Sequence, residues 1–95
     1  MITTKQRAKL RGMANGIETI LQVGKAGIAA ETITQANDAL TARELIKMRV
    51  LETSPLTSRE AAQELAEKTG ADIVQVIGSR FVLFRRNPKK LRIEL

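Results

Sequence analysis

The chain has 95 residues, of which 16 are lysine or arginine and 10 are aspartate or glutamate, giving a formal net charge of +6. A chain of this length forms one domain, and such a charge points to nucleic acid or another anionic surface as the partner. The alternative explanation of the positive net charge is that it only keeps the protein in solution. The sequence contains no cysteine and no histidine, which excludes disulfides, thiol nucleophiles, imidazole bases and the usual zinc sites.

Location and chemistry follow from further absences in the sequence. No apolar run approaches the roughly 20 residues that span a bilayer, and the polar, basic first residues lack the apolar core of a signal peptide. We therefore expect a cytoplasmic protein that is not an enzyme and needs no cofactor. We also expect no metal site, no small-molecule substrate and no membrane contact. A monomer is expected, although the sequence leaves the oligomeric state open.

The first segment predicts a basic helix. Thr3 and Gln6 have the spacing of a capping box, so the helix begins at Thr3 or Thr4 and runs to about Ala14. Its cations repeat four residues apart and repel one another, which a bound polyanion would relieve. A solvated basic helix explains them equally well. These cations are Lys5, Arg7, Lys9 and Arg11.

A glycine loop follows the first predicted strand, Thr19–Val23. The loop consists of Gly24, Lys25, Ala26 and Gly27, and the next helix is expected to begin near Ala30. Glycines allow backbone N–H groups to approach a bulky anion, Lys25 adds a charge, and the helix start presents unpaired N–H groups. A plain strand-to-helix turn explains the two glycines as well. The loop matches neither the P-loop nor the dinucleotide fingerprint.

The middle of the chain predicts a helix from Ala30 to about Ala42 and a strand over Glu44–Leu51. In this strand Lys47 and Arg49 point away from the apolar face. They form a basic stripe suited to a polyanion, or they protect a strand edge from pairing. The sequence does not show which face of the sheet carries them.

The last part of the chain predicts a helix and a hairpin. Thr57 and Glu60 form a second capping box for a helix that runs to Thr69, and its glutamates make it the acidic part of the molecule. Asp72–Ile77 and Arg80–Arg86 are predicted strands joined by a two-residue turn at Gly78. The basic tail 87–95 is expected to be partly disordered.

The predicted order is α-β-α-β-α-β-β. Strand-helix-strand units favour parallel crossovers, and the final hairpin adds an antiparallel neighbour. We therefore predict an α/β fold, a mixed four-stranded sheet packed with three helices. The glycine loop then lies at the carboxyl end of the first strand, where open α/β sheets usually bind ligands.

Several stretches together resemble a known family, the CRM (chloroplast RNA splicing and ribosome maturation) domain in its bacterial stand-alone, YhbY-like form. They cover nearly the whole chain in order. The matching stretches are Thr4-Lys5-Gln6-Arg7, Leu10-Arg11-Gly12, Val23-Gly24-Lys25-Ala26-Gly27-Ile28, Ala39-Leu40, Arg43-Glu44-Leu45-Ile46-Lys47, Thr69-Gly70-Ala71, Val74-Gln75-Val76-Ile77-Gly78 and Val82-Leu83-Phe84-Arg85.

The resemblance implies a single RNA-binding domain over residues 1–95, similar in architecture to the C-terminal domain of translation initiation factor 3. It also implies a role in assembly of the large ribosomal subunit through a G-x-x-G loop. The sequence departs from the family pattern at four positions. Ala26 stands where glycine or a polar residue is common, Ala29 where a threonine caps the helix, Arg43 where histidine is common and Phe84 where tyrosine is.

We therefore predict that the chain binds ribosomal RNA without catalysing a reaction. The alternative is a protein-binding module that docks on a ribosomal or RNA-processing protein through its acidic third helix. Scarce aromatic residues favour recognition of RNA shape and backbone over stacked bases. The predicted RNA-contacting residues are Gly24, Lys25, Ala26, Gly27, Lys5, Arg7 and Lys9, with Lys47, Arg49, Arg80 and Arg85 as secondary candidates.

Overall fold

The computed structural model of the chain describes residues 2–87 and residue 93. Its elements confirm the predicted order of helices and strands. They are α1 (Thr4–Ala14), β1 (Thr19–Val23), α2 (Ala30–Arg43), β2 (Leu45–Val50), α3 (Ser58–Thr69), β3 (Asp72–Ile77) and β4 (Arg80–Phe84). In this part of the chain, no helix has the length and apolar character needed to cross a membrane.

The four strands form one mixed sheet in the order β1-β2-β4-β3. β1 and β2 are parallel, whereas β4 is antiparallel to both of its neighbours, β2 and β3. The predicted mixed sheet is therefore confirmed. The final hairpin folds back so that β4 fills the space between β2 and β3, which makes both β2 and β4 interior strands.

Helices cover both faces of the sheet, and each face has its own core. On one face, α2 and α3 pack through Leu40 and Leu65 against Met48 and Phe81. On the other face, α1 packs through residues such as Leu10 against Leu45, Val82 and Phe84. The two phenylalanines, Phe81 and Phe84, are therefore buried on opposite faces, and neither offers an exposed surface for base stacking.

Local sequence signals determine where the first and third helices begin. The Gln6 N–H donates to Thr3 Oγ1 at 3.1 Å and the Thr3 N–H donates to Gln6 Oε1 at 2.9 Å. Thr57 and Glu60 repeat this arrangement at the start of α3, at 3.2 and 2.9 Å. Both predicted capping boxes are confirmed, and each one satisfies two N–H groups that a helix start leaves unpaired.

The strand limits at Glu44 and Leu51 were predicted wrongly. Glu44 has φ 65° and its N–H donates to Leu40 O at 2.8 Å, so it ends α2 and β2 begins one residue later. β2 ends at Val50, one residue before the predicted limit, and the Leu51 N–H donates to the Val23 carbonyl at 2.9 Å. β4 also ends early, at Phe84, and Arg85 and Arg86 lie beyond it.

The segment after β4 returns to the body of the domain at two points. The backbone N–H groups of Asn87 and Ile93 both donate to the Glu44 carboxylate, and Ile93 is buried in the core under α1. At these two residues the chain is held in place. The prediction of partial disorder otherwise falls on residues 88–92, 94 and 95, which lie outside the described residues.

Candidate nucleic-acid interface

The glycine loop forms a tight turn at the carboxyl end of β1. The Gly27 N–H donates to the Gly24 carbonyl at 3.0 Å, which leaves Lys25 and Ala26 at the exposed tip. Gly27 has φ 65°, a conformation that costs other residues about 1–2 kcal/mol. A Cβ atom at Gly24 would meet Leu51 Cδ1 at an ordinary 3.7 Å. The turn conformation therefore favours glycine at position 27 but not at position 24.

The loop leads into a helix start that no side chain caps. Ala29 is the N-cap residue of α2, with extended backbone angles and no side-chain hydrogen bond to the first turn. Unpaired N–H groups and the positive end of the helix dipole therefore lie close to the loop. Glu31, in the first turn of the helix, carries a negative charge that disfavours an anion at this position. Helix start and loop together can hold an anion in the way that phosphate-binding turns do.

Two predicted cations, Arg49 and Arg80, lie on an uncovered part of the sheet, near the end at which β1 leads into the loop. Each is exposed, and the two are direct cross-strand partners in β2 and β4. Arg49 is also in register with Gln22, two residues before the loop begins. Because side chains alternate along a strand, these residues share the face on which α1 packs. The structure thus settles which face of the sheet carries the predicted basic stripe.

Lys47 lies on the same face, two cross-strand pairs further from the loop than Arg49, and is partly covered. It lines a cavity of about 80 Å³ at the C-terminal end of α1. Several of the side chains that line the cavity can donate hydrogen bonds. The exposed aliphatic side chain of Ile77 also lines it. The other lining residues are Asn15, Gln75, Arg80, Phe81 and Val82.

The cations of α1, which we predicted to contact RNA, include one that bonds to the opposite part of the sheet. The Arg7 Nε donates to the Ile73 carbonyl at 3.2 Å, so this guanidinium is partly used inside the protein. Through its strand partners Ile73 is in register with Ile46, four residues before Val50, where the strands reach the loop. At about 3.3 Å per residue, the carbonyl that Arg7 bonds is thus roughly 13 Å along the strand direction from the end of the sheet that carries the loop. Lys5 and Lys9 are exposed on the same helix.

Arg85 belongs to a hydrogen-bond network within the protein. Its guanidinium donates to both oxygens of Asn37, the side-chain amide and the backbone carbonyl, to the Thr69 carbonyl and to Thr41 Oγ1. These acceptors belong to the C-terminal parts of α2 and α3. The structure therefore pairs Arg49 with Arg80 at the end of the sheet where the loop begins, but places Arg85 in a site that links two helices.

The acidic helix begins beside the loop and runs away from it. Gly27 lies against Pro55 and Leu56 in the segment that leads into α3, with 3.5 Å between Pro55 Cγ and an added Cβ. Glu60 in the first turn accepts hydrogen bonds from Thr57 that lower the pKa of its carboxyl group from the ordinary value of 4.5. Glu64 and Glu67 follow one and two turns along. Within residues 2–87 and 93, no acidic cluster could hold a metal ion.

Comparisons with known proteins agree with this architecture. A family model described as the CRS1 / YhbY (CRM) domain matches residues 2–85. Bacillus subtilis YqeI, named a probable RNA-binding protein, is 38% identical over 95 residues, which cover 100% of this chain and 99% of YqeI. A Haemophilus influenzae protein named RNA-binding protein is 30% identical over 84 residues, 88% of this chain and 85% of that protein.

A solved structure shows the same fold. The solution structure of SAV1595 from Staphylococcus aureus, described as a hypothetical protein and candidate RNA binder, superposes with a TM-score of 0.84. Its sequence is 43% identical, and the match covers 100% of this chain and 99% of the other. Three helices on a mixed sheet, with a G-x-x-G turn after the first strand, define the class as an α/β domain. The chain belongs to the CRS1/YhbY (CRM) domain family.

Proposed function

We propose that this protein binds RNA through the Gly24–Gly27 turn and the cations next to it, without catalysing a reaction. The observation that carries the proposal is the position of exposed Lys25 at the tip of a tight turn, directly before an uncapped helix start. Positive charge and unpaired N–H groups there favour a phosphate. The relatives named for RNA binding, YqeI among them, support the same class of ligand.

The likeness to YhbY-like proteins supports a finer proposal, that the RNA is ribosomal and is bound during assembly of the large subunit in the cytoplasm. In this proposal Lys25, Arg49 and Arg80 make the principal contacts, with the protein acting as a monomer. Exposed Lys5 and Lys9 extend the positive surface along α1 for a longer RNA. Arg7 contributes less, because its Nε is already bonded to a backbone carbonyl.

Binding of a large-subunit ribosomal RNA fragment over a range of salt concentrations tests the proposal. Removing one phosphate-binding cation lowers the slope of log affinity against log salt by about one. We expect the Lys25→Ala substitution to weaken binding and to lower the slope by that amount. The control is Lys68→Ala, which removes an exposed lysine from the last turn of α3. Equal affinity and slope for the Lys25→Ala protein and the wild type would contradict the role of the loop.

Crosslinking in cells followed by sequencing of the bound RNA tests the ribosomal target. Enrichment of large-subunit ribosomal RNA and its precursors is the expected result. Reads spread over messenger RNA contradict it. A partner that stays bound after RNase treatment and in high salt would instead identify a protein-docking role for acidic α3.

A further inference from the structure

Arg49 and Arg80 face each other as a non-hydrogen-bonded pair of β2 and β4, the kind of antiparallel pair in which the side chains are closer. The next pair along, Val50 and Ser79, is joined by a hydrogen bond from the Val50 N–H to the Ser79 carbonyl at 2.6 Å. Hydrogen-bonded and non-hydrogen-bonded pairs alternate, so Arg49 and Arg80 occupy a non-hydrogen-bonded position. At such positions the Cα atoms are only about 4.5 Å apart and the side chains are closest. Two exposed arginine side chains thus start from adjacent positions on the same face of the sheet.

This juxtaposition is unfavourable in the isolated protein. Like charges directly opposite each other destabilise a sheet. Across residues 2–87 and 93, no carboxylate pairs with either guanidinium. Edge protection does not explain the two cations either, because β2 and β4 are both interior strands. Their position makes physical sense if an anion lies between them.

Lys47 and the cavity beside it extend the same positive surface. Lys47 faces the same side as Arg49, and it lines the 80 Å³ cavity together with Arg80. The side-chain amides of Asn15 and Gln75 add further donors, and no acidic residue lines this cavity. α1 ends at Ala14, so the sheet beyond it remains uncovered. Cations and amides that converge on an open depression are suited to a phosphate.

We propose that Arg49 and Arg80, supported by Lys47, form a second phosphate-binding site for RNA on the sheet face. The inference rests on the proposed function, since the phosphate belongs to an RNA that also contacts the glycine loop. Gln22 connects the two sites, because it is in register with Arg49 and lies two residues before Gly24. One RNA backbone therefore passes from the loop around the β1 edge onto the sheet.

Paired substitutions distinguish this site from the loop. We expect the Arg49→Gln, Arg80→Gln double variant to weaken RNA binding and to lower the salt slope by about two, one for each arginine replaced. The control double variant, Arg43→Gln with Arg86→Gln, changes the net charge equally at two exposed arginines away from the site. Wild-type slope and affinity in the first double variant, with weakened binding in the Lys25→Ala protein, would overturn the second site and leave the proposed function standing. Wild-type binding in both proteins would contradict the site and the function together.

A stability measurement separates binding from a structural role. Because removing the arginines relieves repulsion, the Arg49→Gln, Arg80→Gln protein should have a Tm equal to or above that of the wild type without RNA. Inorganic phosphate, compared with chloride at matched ionic strength, should raise the Tm of the wild type more than that of the double variant. A lower Tm in the double variant, or equal responses to phosphate, would overturn the proposal.

The RNA terminus identifies which phosphate occupies the site. Two RNAs of the same sequence are used, one with a 5′-hydroxyl and one with a 5′-phosphate. For each RNA we compare the affinity of the wild type with that of the Arg49→Gln, Arg80→Gln protein. Equal decreases support an internal backbone phosphate, and a decrease confined to the 5′-phosphate RNA supports a terminal one. Unchanged affinity for both RNAs overturns the site.

Discussion

The carboxylate of Glu44 accepts a hydrogen bond from the backbone N–H of Ile93, 49 residues further along the chain, at 2.8 Å. The other carboxylate oxygen accepts the Asn87 N–H at 2.7 Å. Glu44 is 0% exposed, although it is a charged residue at the end of a helix. It therefore connects the turn between α2 and β2 to two later points of the chain, Asn87 and Ile93.

Replacing Glu44 with glutamine should destabilise the protein by about 1–3 kcal/mol, because the amide nitrogen cannot accept the N–H that one carboxylate oxygen now accepts. Urea denaturation measures the change. The control is Glu67→Gln on the exposed face of α3, where we expect a change within about 0.5 kcal/mol. Equal stabilities for the Glu44→Gln and Glu67→Gln proteins would contradict a structural role for the buried carboxylate.

Arg85 should matter for stability and not for RNA binding. Lysine at this position keeps the charge but loses the planar fork that reaches Asn37, Thr41 and the Thr69 carbonyl. We expect the Arg85→Lys substitution to cost about 1.5–3 kcal/mol in the free energy of unfolding and to leave the salt slope of RNA binding unchanged. Arg86→Lys, at the exposed neighbour, is the matched control. If the Arg85→Lys substitution changes the salt slope of RNA binding and leaves the stability unchanged, Arg85 contacts RNA instead.

Serine at position 29 should stabilise the start of α2. Ala29 already has the extended backbone angles of an N-cap residue, with φ −85° and ψ 168°, but no side-chain acceptor. A serine hydroxyl can accept an N–H of the first turn, which is worth about 1 kcal/mol. Thermal unfolding of the Ala29→Ser protein should show a higher Tm. The same change at exposed Ala42, inside the helix, should not raise it. If the Ala29→Ser substitution does not raise the Tm, the N–H groups at the helix start already have other hydrogen-bond partners.

The capping box of α3 should give the protein a pH-dependent stability. Hydrogen bonds from Thr57 lower the pKa of Glu60 below 4.5, so the folded state favours the charged carboxylate. This contribution is fully present above pH 4.5 and is lost as the pH falls through the lowered pKa of the folded state. The stability advantage of the wild type over a Glu60→Gln protein should therefore shrink on acidification below pH 4.5. An advantage that grows in acid would contradict the direction of the shift.

Features encoded within a few residues were predictable from the sequence. The capping boxes at Thr3 and Thr57 depend on residues three positions apart, and the turn at Gly78 depends on one glycine with φ 55°. Alternation along β2 correctly separated Lys47 and Arg49 from the apolar face. In each case the physical cause lies within one element, so no knowledge of the rest of the fold was needed.

Long-range relationships were not predictable in the same way. The pairing of Arg49 with Arg80 depends on β4 entering between β2 and β3, which the chain order does not specify. Arg85 carried the same basic signal as Arg80, yet it is bonded to Asn37, 48 residues away. Glu44 was predicted as the first residue of a strand because its local sequence continues the pattern of β2. The partners of its carboxylate, Asn87 and Ile93, lie 43 and 49 residues away and give no local signal. Charge alone cannot separate an exposed cation from one used inside the fold.

The most direct test of the proposed interface is an NMR titration of the ¹⁵N-labelled protein with a large-subunit ribosomal RNA fragment. The account predicts that amide shifts concentrate at residues 24–27 and around Arg49 and Arg80, and that they remain small in the last two turns of α3. Shifts concentrated on the glutamate-bearing face of α3, with the loop unaffected, would contradict it.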